Sequence, residues 1–152
     1  DYILLGVYSD DLIPVMAKVL CGLGIRHAMV VHGEDGFDEI SISAPTKVAE
    51  IKDGGIFEYT ITPEQFGLPM AEKEEVVGGS PEENALITQG ILDGTIRDAK
   101  RNIVLLNAGC ALYVVGQAGS IGDGVALAAE MIDSGAALAK LEELKQFTNA
   151  LA

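Results

Sequence analysis

Residues 1–33, DYILLGVYSDDLIPVMAKVLCGLGIRHAMVVHG, contain the pattern that decides the fold. The apolar run at residues 2–8 predicts a strand that is covered on both faces. Ser9 is suited to cap the helix that follows, and Gly24 is suited to end it. A second apolar run at residues 27–32 predicts another buried strand. A strand, a helix and a strand in about thirty residues form a βαβ unit, with parallel strands and a right-handed crossover.

The predicted first helix carries one apolar stripe, which we expect to face the sheet. Its members recur at helical spacing: Leu12, Val15, Met16, Val19, Leu20 and Leu23. Asp10 and Asp11 precede this stripe, where negative charge favours the start of a helix.

The rest of the sequence predicts short strands and then helices. We expect strands at residues 40–43, 46–51 and 56–62, with a tight turn at 52–55. A brief helical turn should begin near Thr62 and end at Gly67. Ser80 and Pro81 should start a helix that continues through residues 84–92, and longer helices are expected at residues 97–116, 120–134 and 136–151. The pattern predicts an α/β fold of three layers, in which helices flank a mixed, mainly parallel sheet.

The first residues of the chain lead directly into a predicted strand. Buried strands rarely open a natural chain, so we expect a sheet that is incomplete on its N-terminal side, within a longer protein. Such a sheet would expose an edge and apolar helix faces. We therefore expect the isolated chain to associate or to be poorly soluble.

Charge and cysteine usage narrow the classes of partner. A formal net charge of −13 argues against nucleic acid and anionic membranes, because both require clustered basic residues. No apolar run reaches the roughly 18–20 residues of a membrane span. Cys21 and Cys110 lack metal-site spacing, and we interpret them as buried free thiols, which fits a cytoplasmic protein.

The loop after the second strand is the main candidate for chemistry. Four carboxylates fall within six residues: Glu34, Asp35, Asp38 and Glu39. Ligands of open α/β sheets bind beyond the carboxyl ends of the strands, and clustered carboxylates suit Mg²⁺. The alternative is a solvated acidic turn, which is common in a protein with 23 acidic residues. His32 precedes this loop without a second nitrogen or sulfur ligand, which favours a structural role.

Several separated motifs resemble the anthranilate phosphoribosyltransferase family and occur in its order. They are LLGVYS at 4–9, VVHGEDGFDE at 30–39, PTKV at 45–48, FGLP at 66–69, GSPEENA at 79–85 and LLNA at 105–108. The resemblance covers essentially all 152 residues. It implies transfer of ribose 5-phosphate from phosphoribosyl pyrophosphate to anthranilate, a glycosyltransferase step of tryptophan biosynthesis. It also implies that Asp38 and Glu39 help to hold magnesium.

The resemblance also implies what residues 1–152 lack. They correspond to the C-terminal portion of the family's phosphoribosyltransferase α/β domain. The family's Gly-rich phosphate loop, its anthranilate-contacting Arg and its helical N-terminal domain, through which the parent enzyme forms a homodimer, have no counterpart in this sequence. We therefore expect the chain alone to be inactive. The alternatives are a non-catalytic structural or binding module with a solvated loop and a related nucleoside phosphorylase, whose own motifs are not evident.

Overall fold

The structure, a computed structural model, describes residues 1–150. The predicted end of the last helix at Leu151 therefore lies outside the described residues. The strands are β1 (Tyr2–Gly6), β2 (His27–Gly33), β3 (Thr46–Lys52) and β4 (Gly55–Ile61). The helices are α1 (Leu12–Gly22), α2 (Pro81–Leu92), α3 (Ala99–Val114), α4 (Ile121–Asp133) and α5 (Ala136–Asn149). Two short 3-10 turns lie at Pro63–Phe66 and Lys73–Val76.

The four strands form one mixed sheet in the order β1-β2-β3-β4. β1 and β2 are parallel, which confirms the predicted βαβ unit. β2 pairs with β3 and β3 with β4 in antiparallel orientation, so the sheet is mixed, as predicted, but not mainly parallel. The hairpin turn explains one antiparallel pair, because Asp53 and Gly54 have φ of 51° and 77°, as a two-residue type I′ turn requires.

The predicted strand at residues 40–43 is wrong, because this segment is irregular. The segment is buried without pairing in the sheet, since Ile40, Ser41 and Ile42 are all 0% exposed. The backbone of this segment forms hydrogen bonds with side chains instead of with a neighbouring strand. For example, Ser41 N donates to Thr46 Oγ1 at 2.9 Å.

Helix α1 covers one face of the sheet with only half of the predicted stripe: Leu20 is buried, and Leu12 and Met16 pack against the same cluster. Its buried residues are Ile13, Ala17 and Leu20, which pack with Ala28 and Val30 of β2. The predicted stripe residues Val15, Val19 and Leu23 are exposed. The predicted Ser9 cap is also wrong, because Asp11 is the N-cap residue of α1 and makes no side-chain capping bond.

Helix α3 covers the other face, with α4 packed against it, which confirms the three-layer architecture. Met29 and Val31 of β2 share one buried cluster with Leu106 and Cys110 of α3. Burial raises the pKa of the Cys110 thiol to about 12, which confirms a buried free cysteine at this position. Cys21 is only half-buried. No helix in residues 1–150 is long and apolar enough to cross a membrane.

Candidate metal site

The acidic loop leaves the carboxyl end of β2, beside the carboxyl end of the parallel strand β1. Val7 N, just after β1, donates to Val31 O at 3.0 Å, and His32 Nδ1 donates to Val7 O at 2.8 Å. This contact gives buried His32 the structural role predicted for it, because it ties the two strand ends together. The loop that follows β1 and the acidic loop that follows β2 therefore lie at the same end of the sheet.

A tight backbone turn shapes the acidic loop. Gly33 N donates to Phe37 O at 2.9 Å, and Gly36 N donates to Gly33 O at 2.8 Å. Gly36 has φ of 91°, a conformation that side chains disfavour, so a glycine is required there. The turn places residues 38 and 39 at the outer side of the loop, where both are exposed.

Asp35 holds the loop together and is not a free carboxylate. It accepts hydrogen bonds from Ser41 Oγ at 2.6 Å, from Ser43 Oγ and from Phe37 N at 3.3 Å. Burial opposes its ionisation, but these donors outweigh it and lower the pKa of the Asp35 carboxyl. Lys73 Nζ donates to Asp35 O at 2.6 Å, and this hydrogen bond connects the 3-10 turn at Lys73–Val76 to the loop.

Asp38 and Glu39 form the exposed acidic pair of the loop. The main chain of Asp38 lies directly on Gly6, where an added Cβ atom would be 1.5 Å from Asp38 O. Desolvation, followed by repulsion from the Asp38 charge, raises the pKa of the Glu39 carboxyl. A bound cation would relieve this repulsion.

Asn107 of α3 reaches the same loop from the helical layer. Its side chain accepts a hydrogen bond from Ile40 N at 3.0 Å and donates one to Ile40 O at 2.8 Å. In the sequence Asn107 is a polar residue in an apolar helix, within the LLNA motif, and its contact with Ile40 is not evident because the two residues are 67 positions apart. Glu39, Asn107 and Phe37 also line a cavity of about 340 Å³ beside the pair.

The carboxylates of Asp38 and Glu39 fit Mg²⁺ better than a metal whose ligands must all come from the protein. Within residues 1–150, no group of three or more His, Cys, Asp or Glu residues is placed to hold a metal ion. Mg²⁺ is commonly bound by one or two carboxylates, with waters and substrate phosphates completing the octahedron. Asp38 and Glu39 supply such a pair.

Asp10 and Lys47 form an ion pair at the same end of the sheet as the acidic loop. Lys47 Nζ lies 2.7 Å from Asp10 Oδ2, and both side chains are substantially exposed. Hydrogen bonding and charge attraction lower the pKa of Asp10 and raise that of Lys47. The pair lies beside a cavity of about 490 Å³ and places a positive charge near the acidic loop.

A buried polar cluster lies at the opposite end of the sheet from the acidic loop. The sequence did not indicate this cluster. Glu50 accepts hydrogen bonds from His27 Nε2 at 2.7 Å, Tyr113 OH at 2.8 Å and Tyr59 OH at 2.9 Å. Burial disfavours its charge, but these donors outweigh burial and lower the pKa of Glu50. The cluster joins β2, β3, β4 and α3, and all four polar groups are used within it, so its role is structural.

Comparisons with known proteins identify the family and the fold of the chain. Residues 1–138 match the glycosyl transferase family, a/b domain. The chain is 49% identical over 146 residues to the anthranilate phosphoribosyltransferase of Methanobrevibacter smithii, covering 96% of this chain and 43% of that protein.

Solved structures agree in fold. The anthranilate phosphoribosyltransferase of Thermus thermophilus matches with a TM-score of 0.86 at 39% identity, over 94% of this chain and 42% of that one. The Saccharomyces cerevisiae enzyme in complex with PRPP and Mg matches with a TM-score of 0.83 at 29% identity, over 91% and 40%. Its complex with 4-fluoroanthranilate matches equally well.

The chain spans about 43% of the length of the curated relatives that it matches. The family match nevertheless covers residues 1–138, which include the whole sheet and the acidic loop. This chain therefore belongs to the glycosyl transferase family, whose a/b domain model its residues 1–138 match.

Proposed function

We propose that this chain is the C-terminal portion of an anthranilate phosphoribosyltransferase, in which Asp38 and Glu39 hold Mg²⁺ for the transfer of ribose 5-phosphate to anthranilate. The observation that carries the proposal is the exposed acidic pair, held on a firmly anchored loop at the carboxyl edge of the sheet. The names of the relatives support the reaction, and the yeast complexes with PRPP and Mg and with 4-fluoroanthranilate support the ligands.

The charge of the site explains why a cation is needed. Phosphoribosyl pyrophosphate is strongly anionic, and the chain has a net charge of −13. Asp38 and Glu39 alone would repel this substrate, so they can assist its binding only through a bridging cation. Bound Mg²⁺ would neutralise the charge that develops on pyrophosphate as the bond to the ribose carbon breaks.

The chain's own contribution is positioning. The anchored turn keeps two exposed carboxylates close to each other. The aromatic amine then needs to be placed beside the ribose carbon rather than deprotonated by a strong base. We extend the proposal to a cytoplasmic homodimer, whose dimer contacts and remaining substrate contacts come from the part of the relatives that this chain does not span. The chain alone is then inactive.

A non-catalytic module is the second candidate. It is favoured by the exposure of Asp38 and Glu39, which is also expected of a solvated acidic turn. The two candidates differ in whether transfer depends on this pair.

A chimera tests the proposal on this chain's own residues. The matching segment of the Methanobrevibacter smithii enzyme is replaced by this chain, and growth of a tryptophan auxotroph that lacks the transferase is measured. We expect the chimera to restore growth and Asp38→Asn/Glu39→Gln to abolish it. The matched control is Glu142→Gln/Glu143→Gln, the same change in two adjacent exposed acids of α5, which should retain growth. A folded chimera that never supports growth, or equal growth with the Asp38/Glu39 variant, contradicts the proposal.

A further inference from the structure

The side-chain amide of Asn107 is fully engaged. Its Oδ1 accepts from Ile40 N at 3.0 Å, and its Nδ2 donates to Ile40 O at 2.8 Å and to Ile103 O at 3.0 Å. A backbone N–H only donates and a carbonyl only accepts, so just one orientation of the amide satisfies both groups of Ile40. Asn107 thereby clamps the residue that directly follows the acidic pair.

Helix α3, which carries Asn107, is tightly packed on both sides of this residue. Leu105 and Leu106, just before it, are 2% and 0% exposed. Two residues after it, the backbone of Gly109 contacts α4 so closely that a Cβ atom on Gly124 would lie 2.2 Å from Gly109 O. A side chain at position 107 is therefore fixed by the packing of α3 on both sides.

The acidic pair is held from both ends while its carboxylates remain exposed. On one side the main chain of Asp38 lies on Gly6 of β1. On the other side Ile40 has its side chain in the core, at 0% exposure, and its backbone on Asn107. The backbone is thus restrained at the point where the two charged side chains leave it.

Such restraint matters because the two carboxylates repel each other. Successive side chains of an extended segment point in opposite directions, and like charges favour that separation. A loop free to relax would turn Asp38 and Glu39 apart. Partners that orient metal ligands from outside the coordination shell are typically worth 10- to 100-fold in metal affinity.

We propose that Asn107 is the positioning residue of the acidic pair: its clamp on Ile40 holds Asp38 and Glu39 in the orientation in which both carboxylates reach one divalent cation. The inference rests on the proposed function, because it names what orients the cation's ligands. Asn107 itself does not touch the cation or the substrate. It lies on a different element, 67 residues from the residue that it holds.

A purely structural role makes a different prediction. Ile40 lies outside the sheet, so its buried backbone groups need partners, and Asn107 could serve only to satisfy them. Its loss would then lower the stability of the chain and leave the affinity of the acidic pair for a cation unchanged.

The test titrates the full chain with Mn²⁺ alone, used as a probe for Mg²⁺. Paramagnetic broadening of the backbone amide NMR signals of residues 33–40 gives the apparent dissociation constant, and thermal unfolding gives the stability of each variant. Asn107→Leu removes all three hydrogen bonds with little change of shape. Asn107→Ser is a smaller change that decides the matter if the Leu variant does not fold. The Asp38→Asn/Glu39→Gln variant identifies the signals that report the acidic pair.

Two controls separate positioning from stability. Asn102→Leu makes the same substitution on the first turn of α3, away from the loop. Glu50→Gln lowers stability at the opposite end of the sheet, because it removes the charged acceptor shared by His27, Tyr59 and Tyr113, and it does not touch the loop or the support of Asn107.

We expect both Asn107 variants to weaken Mn²⁺ binding about 10- to 100-fold while the two controls retain wild-type affinity. Unchanged affinity in a folded Asn107 variant would overturn the positioning role. An equal loss in Glu50→Gln would also overturn it, because instability alone would then explain the effect. If the wild-type chain shows no Mn²⁺ binding beyond that of the Asp38/Glu39 variant, the metal role itself fails, and the inference fails with it.

Discussion

Gly6 and Asp38 are in direct main-chain contact, with no room for a side chain between them. A Cβ atom on Gly6 would lie 1.5 Å from the carbonyl oxygen of Asp38. The last residue of β1 therefore determines where the acidic loop of β2 can lie. Gly6, which has no side chain, thus determines the position of the candidate metal ligands Asp38 and Glu39.

Gly6→Ala should destabilise the chain and displace the acidic loop. Overpacking of this kind costs about 1–3 kcal/mol, because the backbone on one side must move. Urea unfolding measures the loss. Gly22→Ala is the control, since an added Cβ there meets nothing within 4 Å, and it should be neutral. Equal unfolding midpoints for Gly6→Ala and the wild type would contradict the close contact.

Gly124→Ala should weaken the packing of α4 on α3. The added methyl group would meet Gly109 O at 2.2 Å, which forces the helices apart and should cost about 1–3 kcal/mol. Gly122→Ala on the same helix is a matched control, because its nearest new contact is at 3.8 Å and the helix propensity of alanine favours it. Thermal unfolding should separate the two variants clearly. Similar melting temperatures would show that the helices do not approach this closely.

Glu50→Gln should reduce the stability of the chain at neutral pH, by on the order of 2 kcal/mol, because buried donors lose a charged acceptor. The folded pKa of Glu50 is lowered from its ordinary value of 4.5. Its contribution is therefore fully present above pH 4.5 and is lost as the pH falls through the lower folded pKa. The difference in unfolding free energy between wild type and variant should shrink over that acidic range.

Two controls define the Glu50 effect. Asp35 also has a lowered pKa and remains in both proteins, so its contribution cancels in the difference. Glu58→Gln makes the same change in an exposed residue of β4 and should show no such pH dependence. A wild-type-to-variant difference for Glu50 that stays constant down to strongly acidic pH would argue against an ionised, hydrogen-bonded carboxylate.

The isolated chain should associate as its concentration rises. An apolar cavity of about 440 Å³ opens on the helical layer, with the partly exposed side chains of Val104, Val115 and Met131 at its walls. Burial of such surface between copies is favourable despite the negative net charge. Light scattering across a concentration series measures association, and Met131→Lys should reduce it. A monomer at every concentration, for both proteins, would contradict this expectation.

Local patterns predicted much of the fold because they depend on neighbours in sequence. The βαβ unit, the hairpin turn and the Ser80 cap of α2, which accepts from Glu83 N at 3.2 Å, follow from short-range propensities. The buried face of α1 did not follow from such propensities, because Val15 and Val19, which are exposed, are as apolar as Ile13 and Ala17, which are buried. Which apolar stripe is buried depends on how the helix lies on the sheet.

The candidate site was predicted only in part. The acidic loop stands out in the sequence, and the family resemblance singles out Asp38 and Glu39 within it. The sequence does not show that Asp35 of the same loop is taken up by Ser41 and Ser43. The contact between Asn107 and Ile40 and the cluster around Glu50 join residues that are far apart in sequence, at separations of 67 and up to 63 positions. Periodicity and turn propensity contain no information about such pairs.

The most direct test of the central claim is the rate of phosphoribosyl transfer by the purified chimera, followed by the loss of anthranilate fluorescence at increasing Mg²⁺. We expect a Mg²⁺-dependent rate that Asp38→Asn/Glu39→Gln lowers roughly 10²–10³-fold, while Glu142→Gln/Glu143→Gln matches the unmodified chimera. Equal rates and equal Mg²⁺ dependence in all three proteins would contradict the account.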